Sequence, residues 1–148
     1  MSPPEPERIE HASIRAAYAT WFASMESGDV ELGLSVVTPD VRHRGPSGDE
    51  RVGKEALRGA LEAFHAAFTE RVQWELLEVA VTSARAQVRV RETAIIRPRD
   101  GGPSMRVQGW HAGELVRQAN GLWLIGRDVS IIDGSPIQVP HEFNFPDG

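Results

Sequence analysis

The period of the apolar residues changes once along this chain, and that switch limits the folds open to it. Up to about residue 70 apolar positions recur at helical spacing; from Arg71 onward they alternate. A run of helices followed by a run of strands makes an α+β protein. Ile14, Ala17, Tyr18, Trp21, Phe22 and Met25 form one stripe and predict a first helix. Gly28 stops it and Asp29 caps a short second helix, on which Val30, Leu34 and Val37 share a face and which Pro39 ends. Val41 to Arg44 reads as a short strand and Gly45 to Asp49 as a loop. Gly53 opens a third helix with Leu57, Ala60, Leu61, Phe64 and Phe68 on one stripe, and His65 beside that stripe is expected to be exposed. Four strand-like runs follow, near 72–82, 84–97, 104–118 and 121–132.

Asn120-Gly121 between the last two runs is a strong hairpin signal, because a tight two-residue turn needs positive φ at both positions. A two-residue loop there sets Leu115 opposite Gly126, Gly113 opposite Asp128 and His111 opposite Ser130. Met105, Val107, Gly109, His111, Gly113 and Leu115 then share a face with Leu122, Leu124, Gly126, Asp128 and Ser130. The preceding run adds Ala86, Val88, Val90, Glu92, Ala94 and Ile96 to that face. Three ionisable residues, Glu92, His111 and Asp128, interrupt it, with Gly109, Gly113, Gly126 and Ala94 leaving room around them. A mostly apolar concavity with a few converging polar groups suits a small molecule. Such residues can equally form a structural His–Asp pair and a glutamate that reaches solvent at a sheet edge.

Length and composition exclude several classes. The 148 residues suit one domain. There is no cysteine, so disulfides, thiol catalysis and cysteine-bound zinc are ruled out, and a reducing cytoplasm fits. No His-x-His or His-x-x-x-His spacing supports a metal site, and no phosphate loop, nucleophile elbow or dinucleotide fingerprint suggests a cofactor. The net charge of −5 disfavours nucleic acid, and no apolar run has the length of a membrane span. Residues 1–7, rich in proline and acid, are expected to be a disordered lead-in, 8–133 the folded domain and 134–148 a loose tail.

Three segments, MESGDVELGLSVVTPDV, GPSGDERVGKEALRGALEAF and NGLWLIGRDVS, resemble the nuclear transport factor two-like superfamily. They are similar to its SnoaL-like and ketosteroid-isomerase-like members over residues 8 to 133. The resemblance implies three helices packed on a curved antiparallel sheet, a cone-shaped half-barrel with an internal pocket. It carries enzymes and non-catalytic association domains alike. The catalytic groups of ketosteroid isomerase fall on Gly45, on Trp21 (with Tyr18 one turn earlier) and on Gly113, so that mechanism is not expected. Scytalone-dehydratase-like, cyclase and epoxide-opening members place histidine or carboxylates in the cavity. By that likeness Asp128 is the leading acid or base, His111 its partner and Glu92 an assistant. His43, Tyr18, Trp21, Phe64, Phe68 and Met105 are the expected contacts of a small, largely apolar metabolite. A non-catalytic ligand-binding or dimerisation domain is the alternative. Trp110, Val116, Trp123, Ile125, Val129 and Ile131 make the opposite sheet face apolar, with Glu114 across from Arg127. Members of the superfamily pair through that face, so a homodimer is expected.

Overall fold

The computed structural model describes residues 5–146. Three helices, α1 (Glu5–Ser27), α2 (Val30–Leu34) and α3 (Lys54–Ala67), pack on one curved, unclosed sheet. Its strands are β1 (Val37–Arg44), β2 (Glu50–Val52), β3 (Phe68–Thr82), β4 (Arg85–Pro98), β5 (Ser104–Arg117), β6 (Trp123–Ile132) and β7 (Ile137–Val139). They lie in the order β2-β1-β6-β5-β4-β3, with β7 added beside β5. Every pairing is antiparallel except β1 with β6, which is parallel. The sheet is therefore mixed where an antiparallel one was expected, because the last strand of the meander docks beside a strand laid down before α3.

The stripe on α1 does what its spacing implies. Ile14, Ala17, Tyr18, Trp21 and Phe22 are buried and form the core with Leu34, Leu57, Leu61, Val88, Val90 and Leu115. Burying side chains of this size removes about 1.5–3 kcal/mol each of unfavourable hydration. Asp29 caps α2 by accepting from the Leu32 N–H at 3.1 Å.

Several boundaries differ from expectation. The helix α2 stops at Leu34, and Val37 begins a strand. Pro39 does not end a helix; it lies inside β1, between Val37 and Arg42 where the register shifts, a place that tolerates a residue without an N–H. Phe68 leaves the α3 stripe and opens β3, four residues before the expected start. His65 is buried, 9% exposed, rather than exposed. The lead-in expected over 1–7 falls partly outside the described residues; of it, residues 5–7 are the first turn of α1. The tail is held rather than loose: β7 pairs with β5, and Arg97 donates to the carbonyls of His141 (2.6 Å) and Phe143 (2.7 Å). Ile95, on the same outer face as Arg97, is only 1% exposed.

The β5–β6 hairpin shows two departures that cancel. The loop has three residues, closed by Gln118 N–H to Leu122 O at 2.7 Å, and only Gly121 has positive φ, 85°. That moves the pairing by one, so Arg117 faces Trp123 and Leu115 faces Ile125. A bulge between Glu114 and Leu115 then restores Gly113 opposite Asp128 and His111 opposite Ser130. Between turn and bulge the faces are swapped: Trp123 and Ile125, expected outside, belong to the core, while Leu122 is 59% exposed.

Candidate active site

The sheet carries a polar belt across its inner face, one strand at a time. Asp128 on β6 sits opposite Gly113, with His111 on β5 and Glu92 on β4. His111 Nδ1 meets Asp128 Oδ1 at 2.7 Å, and Nε2 meets Glu92 Oε1 at 2.7 Å. Ionised carboxylates only accept hydrogen bonds, so a ring held between two of them carries hydrogen on both nitrogens. Burial alone would lower the His111 pKa; Asp128 and Glu92 outweigh it and hold it well above the usual imidazole value. Burial pushes the Asp128 pKa up, and the imidazolium, His43 and the Tyr18 hydroxyl pull it below the ordinary carboxylate value. Tyr18 OH donates to Asp128 Oδ2 at 3.0 Å, and burial with that carboxylate raises the phenol pKa well above 10.0.

This belt closes one side of a cavity of about 290 Å³ between the sheet and the helices. Trp21, Phe22 and Met25 of α1 and Leu57, Leu61 and Phe64 of α3 supply its apolar wall. Glu92, His111, Ser130, His43 and Glu70 face it from the sheet together with apolar residues such as Ala94, Ile96 and Val107, and Gly45, Pro46, Ser47 and Arg51 also line it. Of the expected residues, His111, Glu92, His43, Trp21 and Phe64 therefore line it. Asp128, Tyr18, Phe68 and Met105 do not. Asp128 is 4% exposed and lines a separate void of about 10 Å³, because His111 stands between it and the cavity. Tyr18 is fully buried beneath Asp128. Phe68 packs on the Phe64 ring at 5.3 Å, and Met105 is opposite Ile96 and Gln138 at the β7 end.

The glycines expected to leave room do so only in part. A side chain at Gly113 would overlap the Tyr18 hydroxyl, so that space is taken by the group that holds Asp128. At Gly109 the Ile131 carbonyl approaches too closely for any Cβ.

Glu70 is a site residue that the sequence pattern does not single out. It is 7% exposed, lines the cavity, and its Oε2 has no hydrogen-bond partner among the described residues. Burial, with Glu92 adding and His111 opposing, pushes its pKa up to about 8. A strand begun at residue 72 leaves it out; extending the alternation of Val72, Trp74 and Leu76 upstream by one step puts Glu70 on the inner face. His43 Nδ1 is also buried and has no hydrogen-bond partner among the described residues, and burial lowers its pKa. Among the described residues no group of three or more His, Asp or Glu side chains is arranged to hold a metal ion.

Residues 8–124 match the family model of the SnoaL-like domain. The fold is shared with a ketosteroid isomerase-like protein from Erwinia carotovora atroseptica, at 20% identity and a TM-score of 0.77 over 84% of this chain and 96% of that one. It is shared with a protein from Novosphingobium aromaticivorans provisionally described as a scytalone dehydratase, at 16% identity and TM-score 0.81 over 94% and 97%. A type 2 hexachlorocyclohexane dehydrochlorinase matches at 14% identity and TM-score 0.82 over 96% and 97%. At these identities the likeness is one of fold. No curated protein matches the sequence.

Proposed function

The chain belongs to the SnoaL-like domain family, and from that premise we propose that its cavity catalyses proton abstraction from a small, largely apolar molecule with acid assistance to an elimination or isomerisation. The observation that carries this reading is one cavity lined by two carboxyl groups in opposite surroundings. Glu92 is paired with His111 at 2.7 Å, whereas Glu70 is buried with its Oε2 unpartnered among the described residues, which pushes its pKa up to about 8. Environments that divide two carboxyl groups in this way divide the acid role from the base role.

Glu92 is the base: its carboxylate faces the cavity and takes the proton from carbon. As a C–C double bond forms, the bond to the leaving group breaks, and that group takes the Glu70 proton. In an isomerisation the same Glu70 proton goes to the developing oxyanion; Glu92 then delivers its proton to a different carbon as Glu70 takes back the proton from oxygen. After an elimination, water relays a proton from Glu92 to Glu70 and resets both. His111 fixes the Glu92 carboxylate, and Asp128 and Tyr18 fix His111; these three are positioning residues. The names of two proteins that share the fold, a dehydratase and a dehydrochlorinase, are those of eliminating enzymes.

Hydrogen exchange tests the proton abstraction whichever product forms. A panel of small cyclic ketones and β-hydroxy ketones is incubated in D2O, and exchange at the acidic carbon is followed by NMR. Exchange by the wild type should fall at least about a hundredfold in Glu92→Gln, the scale of one general base. Equal exchange in wild type and Glu92→Gln, or none with any member, would sink the reading.

The homodimer is proposed on a revised surface. With Trp123 and Ile125 in the core, the outer face keeps Trp110, Val116, Leu124 and Val129, partly exposed, and Ile131 at 52% exposed. Light scattering of wild type against Ile131→Asp checks it, with a monomeric wild type as the contrary result.

A further inference from the structure

The cavity has a charged group that the proposed chemistry leaves unused. Arg51 on β2 pairs directly with His43 on β1 and lines the cavity next to Ser47. Among the described residues no carboxylate lies within ion-pair distance of it, and its one hydrogen bond is a long one, 3.4 Å from Nη1 to the Asp49 carbonyl. Arg42, Arg58, Arg71, Arg89 and Arg117 have carboxylate partners, and Arg97 and Arg99 are spent on backbone carbonyls.

Across the strand order the belt runs Arg51, His43, Asp128, His111, Glu92. Inside it the imidazolium is shared by two carboxylates, so the positive charge of His111 is already committed. Arg51 is then the remaining cation of the lining, at the opposite end from Glu92. A guanidinium with donors to spare beside an apolar wall is suited to bidentate capture of a carboxylate. Glu92 would repel the same anion, so the two ends together set one orientation.

We propose that the substrate of this cavity is a small organic carboxylate: its carboxylate docks on Arg51, its apolar body lies along Trp21, Leu57 and Phe64, and its reacting carbon is presented to Glu92. This rests on the acid–base reading above and adds the substrate class to it. A cavity of about 290 Å³ has the volume of roughly ten water molecules at ~30 Å³ apiece, room for an aryl or cycloalkyl acid.

The test is calorimetric titration of wild type, Arg51→Gln and Arg51→Lys with phenylacetate and cyclohexanecarboxylate, each against its neutral amide. The expected result is that at least one acid binds the wild type tenfold or more tightly than its amide. That preference should vanish in Arg51→Gln, return in part in Arg51→Lys, and shrink with added salt. The amides report whether the variant cavity is intact. No binding of either acid at millimolar concentration, equal binding of acid and amide, or a preference that survives Arg51→Gln would each overturn the inference. The exchange assay on neutral ketones separates it from the reaction. Exchange that depends on Glu92, with no acid preference, removes the carboxylate and leaves the reaction. Acid preference that depends on Arg51, without exchange, keeps the anion site and removes the reaction.

Discussion

Replacing Glu70 by glutamine should make the protein more stable at neutral pH and less sensitive to pH. In the folded chain Glu70 is held protonated up to about 8, whereas in the unfolded chain it ionises near its ordinary value of 4.5. Between those two values the folded state binds one more proton than the unfolded state. Stability therefore falls as pH rises, at about 1.36 kcal/mol per pH unit from this group. The contribution is fully present below the unfolded pKa and is lost as pH climbs through the folded one. From pH 5 to pH 7.5 that amounts to about 3 kcal/mol. Glutamine keeps the shape and cannot ionise, so the variant should lack this slope. Urea melts of both proteins at half-unit steps from pH 5 to 8 measure it directly, and the difference between the two curves cancels every other titrating group. The gap between the curves should widen by about 3 kcal/mol, or roughly 6–12 °C in Tm, from pH 5 to pH 7.5. Parallel curves would refute the reasoning, because Glu70 would then be ionised in the folded state like an ordinary surface glutamate.

Four further outcomes follow from the same geometry. Gly113→Ala should destabilise by about 1–3 kcal/mol through overlap with the Tyr18 hydroxyl. Tyr18→Phe should cost about 1.5–3 kcal/mol through loss of a hydrogen bond to a buried carboxylate; the double variant should cost less than the sum, since the phenylalanine removes the clashing atom, and chemical melts of the four proteins show it. Ser83 holds a φ of 58° in the β3–β4 turn, so Ser83→Gly should stabilise by about 0.5 kcal/mol once the flexibility of glycine is set against the relieved strain, measured as a small rise in urea midpoint. Ending the chain after Asp133 removes β7 and the carbonyls that Arg97 engages, and should lower Tm by several degrees.

Much of the fold was legible because the signals were local and repeated. The α1 stripe, the Asp29 cap and the long alternation from β3 to β6 each rest on neighbouring residues acting under one period. The candidate site was half legible. Placing His111, Glu92 and Asp128 on one face was sound, since pairing of Gly113 with Asp128 survives in the structure, but it survives through two offsetting steps that no pattern announces. A three-residue turn and a bulge cost nothing visible in the alternation of β6, yet they exchange Trp123 and Ile125 for Leu122 and Leu124 between the faces. Side-chain depth was not legible either. Spacing puts Asp128 and His111 on the same face; only packing decides that His111 stands in front and Tyr18 occupies the room left by Gly113. Glu70 was lost to a strand boundary, the feature that a change of period locates least well. The parallel pairing of β1 with β6 joins segments more than eighty residues apart, and nothing local encodes it.

The central claim is that this cavity holds one protonated and one ionised glutamate. Labelling glutamate side-chain carboxyl carbons with 13C and following their NMR shifts from pH 4 to 10 tests it most directly. One signal, absent from Glu70→Gln, should titrate near pH 8. Titration of every glutamate within the ordinary range around 4.3 would contradict it.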